Sequence, residues 1–258
     1  GGWEMRTAYA FLKKEWMEYY RTGKLIIIVV IFALFGLMNP AIAKLTPFLM
    51  EQLASMEDSG MFITVSTVDA SMSWMQFYKN IPMALVVMLL LFGGILTNEL
   101  QKGTLIPVLT KGLSRWKVLL TKGINLIMIW TGGYWLCYGI TFFYSDYYWD
   151  NSIMSNLFFT AFCYWLFGTM IMALMALFSA MTTSFGGVVL GVGVIYFAMT
   201  LLGMIPKISS YLPIYLTSTS ELLTGGNTGD YVTAIIITFV ITIGAVIAGC
   251  MVFNKREI

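Results

Sequence analysis

Residues 97–123 read TNELQKGTLIPVLTKGLSRWKVLLTKG, the one long polar and basic interruption on its side of an otherwise apolar chain. An apolar run ends at Leu96. It is followed by Glu99, a Lys102-Gly103 pair suited to a helix C-terminus, and Thr104, suited to cap a new helix. Pro107 is tolerated in the first turn of a helix starting at Thr104, and Gly112 ends that helix before Ser114 caps the next. The pattern predicts helix, turn and helixlet, with Leu105 and Ile106 exposed on a short displayed helix. Lys102, Lys111, Arg115, Lys117 and Lys122 surround the single acid Glu99, the charge bias of a loop held on the cytoplasmic side of a membrane.

On either side of this stretch the chain is apolar. Of 258 residues 59% are hydrophobic and 11% charged, far below the roughly 25% charged of soluble domains. This composition predicts an all-α integral membrane protein. Six apolar runs, at 25–43, 81–97, 118–143, 157–181, 185–205 and 232–253, are each near the length of a transmembrane helix. Bases precede the first run (Arg6, Lys13, Lys14, Arg21, Lys24) and follow the last (Lys255, Arg256), whereas the opposite side carries Lys44, Lys79 and Lys207. Both termini are therefore expected to be cytoplasmic. The run at 25–43, with Ala41-Ile42-Ala43 after it, imitates a secretory signal, but the region ahead of it is long, mixed in charge and aromatic, so it reads as a first span. Gly1-Gly2 reads as the scar of a removed tag and is set aside.

Residues 3–23 hold no span. Met5, Ala8, Tyr9, Leu12, Trp16 and Tyr19 fall on one helical stripe, with Arg6, Lys14, Glu18 and Arg21 opposite. This is the pattern of an amphipathic helix lying along the cytoplasmic headgroups, or of one packed on a neighbour. Residues 24–258 then form the six-helix domain. It includes an outer loop at 44–80, which reads as a small cap with a helix-like 47–56 and a β-favouring 61–68, and an outer segment at 206–231 too short to cross.

Glu99-x-x-x-Gly103-Thr104-Leu105, then Leu109-Thr110, Ser114-Arg115 and Lys122, resembles the first cytoplasmic loop of the type-two family of ABC export permeases. The layout of the spans agrees along nearly the whole chain. The resemblance implies that the loop is a coupling helix seated in a cleft of a separate ATPase subunit, with Glu99, Lys102, Gly103, Thr104, Leu105, Ile106 and Arg115 as the coupling residues. It also implies a base on the amphipathic helix paired with Glu99, from Arg6, Lys14 or Arg21, with Arg21 the first choice, and Trp16 at the interface. It implies a re-entrant helix pair at 206–231 and a second permease copy, identical or related, with Gly187 and Gly191 as helix-packing residues that face either the bundle or the twin chain. ATP and magnesium would belong to the ATPase, leaving this chain without a cofactor. Apart from the resemblance, a basic loop obeying the positive-inside rule accounts for the same charges.

Several function classes are excluded. No G-x-x-x-x-G-K-[ST] phosphate loop is present, so the chain cannot hydrolyse ATP itself. Histidine is absent, removing the commonest metal ligand and general base, and Cys137, Cys163 and Cys250 lie singly in apolar runs. With Lys122 counted to the loop, the spans are read as free of Asp, Glu, Lys, Arg and His, which disfavours an ion-coupled carrier. The segregated charge points to no nucleic acid. Trp130, Tyr134, Trp135, Tyr138, Trp165 and Tyr196 either line a path or belong to the lipid-facing belt. The expected function is a bacterial cytoplasmic-membrane exporter permease for an amphipathic or lipophilic substrate, a toxic or antimicrobial peptide foremost, with drugs, lipid or sodium as alternatives. A membrane sensor or scaffold is the non-transport alternative.

Overall fold

The computed structural model describes residues 2–56, 69–105, 107, 110 and 114–256, with side chains described from residue 9 onward except at 50 and 53–56. Helix α1 (Gly2–Arg21) ends at Gly23, which takes φ +74°, and α2 (Lys24–Met56) follows at once. Gly23 supplies the left-handed turn that a residue with a Cβ adopts only at a cost. Next come α3 (Ala70–Phe92), the short α4 (Thr97–Gln101), α5 (Arg115–Tyr148), α6 (Leu157–Met181) and α7 (Phe185–Gly203). Two single turns, α8 (Pro206–Ser209) and α9 (Thr219–Leu223), precede α10 (Val232–Lys255). Six helices are long and apolar enough to cross a membrane. Each expected span lies on one of them, and no strand occurs among the described residues.

Residues 47–56 are helical, as expected, and belong to a longer helix. Residues 44–56 continue α2 and residues 70–80 open α3, so the described part of 44–80 extends two spans instead of forming a separate cap. Pro47 did not break the helix, and Asp69 caps α3 through its side chain, which accepts from the Ser71 amide at 3.0 Å. The β-favouring residues 61–68 lie outside the described residues.

Helix α6 is the centre of the bundle. It is apolar on every side and buried on nearly every side, packed by α5, α7 and α10. α10 reaches it with a narrow stripe, Ala234, Thr238, Thr242, Ala245 and Gly249, whose small side chains permit close approach. The Thr238 and Thr242 hydroxyls donate back to Ala234 O and Thr238 O at 2.6 and 2.7 Å, so no polar group on this seam is left unpaired. Gly168 serves the same purpose on the α5 side: a Cβ there would lie 2.1 Å from the Trp130 ring.

In the outer half of the bundle, meaning the half remote from α1 and the basic loop, α2, α3 and α5 are joined by neutral hydrogen bonds. Pro40 lacks the amide that would bond Gly36 O, and Thr141 Oγ1 of α5 donates to that carbonyl at 3.1 Å instead. Asn39 Nδ2 donates to Thr141 at 3.0 Å, and Asn80 Nδ2 of α3 donates to Asn39 Oδ1 at 2.7 Å. Ser73 pairs with Ser145 at 2.6 Å, and Trp74 Nε1 donates to Asn151 at 3.0 Å. Trp74, Phe77, Tyr134 and Tyr138 fill the space between with edge and tilted ring contacts.

Candidate functional site

The ends of α1, α4 and α5 meet where the basic loop leaves the apolar bundle. Helix α1 turns Phe11, Glu15 and Tyr19 inward, one residue per turn on one face, and α5 turns Val118, Lys122, Asn125 and Ile129 inward at the same helical spacing. Glu15 and Lys122 thus sit on core faces, each only 1% exposed. Lys122 Nζ donates to Glu15 Oε2 at 2.8 Å and lies 3.1 Å from Glu99 Oε2. Lys14 Nζ, half exposed, reaches Glu15 Oε1 at 3.2 Å, Glu18 at 2.9 Å and Glu99 Oε1 at 3.7 Å. The Tyr19 hydroxyl donates to Glu15 Oε2 at 3.0 Å.

The charges adjust to one another. Burial pushes the Glu15 carboxyl up, but the ammonium of Lys122 and then that of Lys14 more than offset it, and Glu15 stays below its ordinary value. Burial likewise lowers Lys14, yet its bond to Glu18 and the charges of Glu15 and Glu99 hold it above its usual value. Burial, with the Glu15 charge next, raises Tyr19, keeping the phenol a donor. The oxygens of Glu15, Glu18 and Glu99 approach within 4.8 Å of one another. Two ammonium groups already stand among them and supply the positive charge that a metal ion would bring.

This cluster changes two readings of the sequence. The third span is not free of ionisable side chains: Lys122 lies in α5 about 10 Å along the axis from its first residue, well inside the packed bundle. Glu99 does bond a base on the first helix, but the base is Lys14. Arg21 is exposed at the end of α1 and has no ion pair among the described residues, and the side chain of Arg6 lies outside them. Glu15 had been overlooked altogether. Its signal was its place in the stripe Phe11, Glu15, Tyr19, where a carboxylate on a core face requires a buried cation.

The loop itself is clamped on further sides. Gly103 takes φ +67° after the Lys102 turn, and the Thr104 amide bonds Glu99 O at 3.1 Å, so α4 ends where the Lys102-Gly103 pair placed a terminus. Gln101 Nε2 donates to Thr183 O in the α6–α7 turn at 2.8 Å. Arg115 Nη1 donates to Arg256 O, and Arg256 in turn caps the end of α6 through Ala180 O and Thr182 O at 2.9 and 3.0 Å. Leu105 is buried, as part of the apolar core, and not exposed. Among the described residues of the loop, Asn98, Gln101, Lys102, Thr104, Pro107, Thr110 and Trp116 are exposed. Ile106 and Leu109 lie outside the described residues. Ser114 precedes α5 as expected but makes no side-chain cap bond.

The glycines and rings settle into packing. A Cβ at Gly191 would lie 2.4 Å from the Phe178 ring and one at Gly187 would lie 2.9 Å from Thr182, so both face the neighbouring helix α6 and its end within this chain. Trp130 and Tyr134 are buried, donating to Trp165 O at 3.1 Å and Ala161 O at 2.9 Å, and knit α5 to α6. The outer face of α7 is left bare: Leu190, Val194, Phe197 and Leu201 are exposed.

A family model described as ABC-2 family transporter protein matches residues 9–258. The chain belongs to the ABC-2 transporter family. It is therefore a multi-pass membrane permease of the ABC type, a transport subunit and not itself catalytic. No curated protein matches this permease. The described part of the loop at 97–123 is held to α1 and α5 by the ion pairs of Glu99 with Lys14 and Lys122.

Proposed function

We propose that this permease is the membrane half of an ATP-driven exporter in a bacterial cytoplasmic membrane, with ATP and magnesium bound on a separate ATPase subunit. The motor grips the loop at Thr104, Pro107 and Thr110, and closure of the motor moves Glu99 against Lys122 of α5 and Lys14 of α1. The observation that carries this reading is the buried Glu15–Lys122–Glu99 cluster, which ties three moving elements at one point. Both termini then face the cytoplasm, and α1 lies in the interface with Trp16, Tyr9 and Tyr20 toward lipid. A second permease copy pairs across the bare face of α7, and an amphipathic peptide is the favoured substrate, given spans whose one buried charge among the described residues, Lys122, is already paired.

Charge reversal tests the link. Glu99→Lys is expected to leave the complex assembled with an ATPase encoded beside it, but to uncouple ATP turnover from transport in proteoliposomes. Adding Lys14→Glu should restore part of the coupling. Normal transport by Glu99→Lys alone would overturn the proposal, as would an ATPase rate that no peptide, drug or lipid alters.

A further inference from the structure

A cavity of about 480 Å³ opens beside the ion cluster, between α1, the first residue of α2 and the segment from Gly94 to Thr104. Lys14, Lys24, Lys102 and Lys122 line it together with Glu15, Glu18 and Glu99. Lys14 and Lys122 make all the ion pairs that these carboxylates have among the described residues, so two cations serve three anions. The least buried of the three is Glu18, whose side chain is 46% exposed. Lys24 and Lys102 pair with no carboxylate among the described residues. Lys24 gives one hydrogen to Leu91 O at 3.0 Å and lies over the Phe92 ring, which leaves two of its three protons unused. The cavity wall therefore offers two unmatched ammonium groups and one half-exposed carboxylate, Glu18, whose single cation, Lys14, is shared with Glu15 and Glu99.

The position of the cavity adds a second constraint. Lys24 immediately follows the Gly23 turn, where α1 gives way to a membrane-spanning helix. Ile26, Ile27 and Val30 on the next turns of α2 are exposed and apolar. A charged recess thus opens beside the residue where a span begins, and the next turns of that span present exposed apolar side chains, the arrangement in which basic recesses between membrane helices take lipid headgroups.

We propose that this cavity binds the headgroup of a phospholipid carrying both a phosphate and a primary ammonium, the phosphate on Lys24 and Lys102, the ammonium on Glu18, and the acyl chains along Ile26, Ile27 and Val30. A purely anionic headgroup would satisfy the lysines but leave Glu18 with only the cation it shares with Glu15 and Glu99. A trimethylated headgroup has no N–H to donate to Glu18. The phosphate–ammonium pair answers both, and the proposal does not depend on whether the permease transports.

The test reconstitutes the full chain in nanodiscs of equal phosphatidylethanolamine, phosphatidylglycerol and phosphatidylcholine and counts retained lipids by native mass spectrometry. Phosphatidylethanolamine should be retained about tenfold over phosphatidylcholine, the worth of one charge-assisted hydrogen bond. Lys24→Gln should reduce retention of both phosphatidylethanolamine and phosphatidylglycerol, whereas Glu18→Gln should reduce phosphatidylethanolamine alone and leave phosphatidylglycerol favoured. Lys102→Gln, on an exposed side chain, repeats the lysine arm should Lys24→Gln fail to fold. Equal retention of the three lipids, or variants that retain them like the parent, overturns the proposal. If free phosphoethanolamine displaces the lipid and binds as tightly without acyl chains, the ligand is a soluble zwitterion and the lipid assignment fails.

Discussion

The two ends of α5 are joined to the same neighbourhood by opposite chemistry. In the outer half, Thr141 and Ser145 meet Asn39 and Ser73 through neutral hydrogen bonds packed among aromatic rings. At the other end, Lys122 meets Glu15 and Glu99 through buried charge, and Lys14 closes the cluster from a half-exposed position. Neutral bonds cost little to desolvate and lose about 1 kcal/mol each when matched groups are removed together. A buried ion cluster is costly to assemble and far costlier to break on one side, because the surviving charge is stranded. The outer half therefore loses little when matched groups are removed together, and the charged end loses much when one partner alone is removed.

Breaking the charged end should give the largest effect. Lys122→Met leaves Glu15 and Glu99 without their shared cation and is expected to cost about 3–5 kcal/mol, read as a lower unfolding temperature in detergent and faster proteolysis at the α1–α2 turn. Combining it with Glu15→Leu and Glu99→Gln should recover most of that loss. If the triple variant is as unstable as the single one, stranded charge is not the cause.

The outer half should yield less. Asn39→Leu deprives Asn80 and Thr141 of their shared partner while Thr141 keeps Gly36 O, so a loss of about 1–3 kcal/mol is expected, with proteolysis at α1 unchanged. Exposure of α1 in this variant would show that the two ends are one cooperative unit.

Acid sharpens the contrast further. Glu15 lies below its ordinary carboxylate value of 4.5, so its stabilisation is fully present above that pH and is lost as pH falls through the lower folded value. Protease sensitivity at the α1–α2 turn should rise on acidification below about pH 4.5, and in Glu15→Gln that pH dependence should weaken. The neutral bonds of the outer half contain no group that titrates in this window. The smallest effect belongs to Lys14→Ala, whose half-exposed pairs are worth about 0–1 kcal/mol; a loss as large as that of Lys122→Met would move the centre of the cluster to Lys14.

Much of this was already legible in the chain. Runs of apolar residues near bilayer length fixed six helices because a backbone in hydrocarbon must satisfy its own hydrogen bonds, and nothing in their neighbours could change that. Lys102-Gly103 fixed the end of α4, since a terminus set by a left-handed glycine is a local event. The resemblance of the loop at 97–123 to the export permeases agreed with the family match over residues 9–258. Which groups meet was a different matter. Glu99 needed a base, but whether Arg21 or Lys14 supplied it depended on the rotation and depth of α1 against α5, and Lys122 joined only because α5 begins at Arg115 and carries it into the bundle. Leu105 read as a displayed anchor and is core, because the direction the chain takes after Gly103 is decided by packing and not by the local sequence. Local sequence determines where helices start, stop and cross, because those choices are made within a few residues; the partners of a buried charge are chosen by helices distant in the chain, and only their packing decides them.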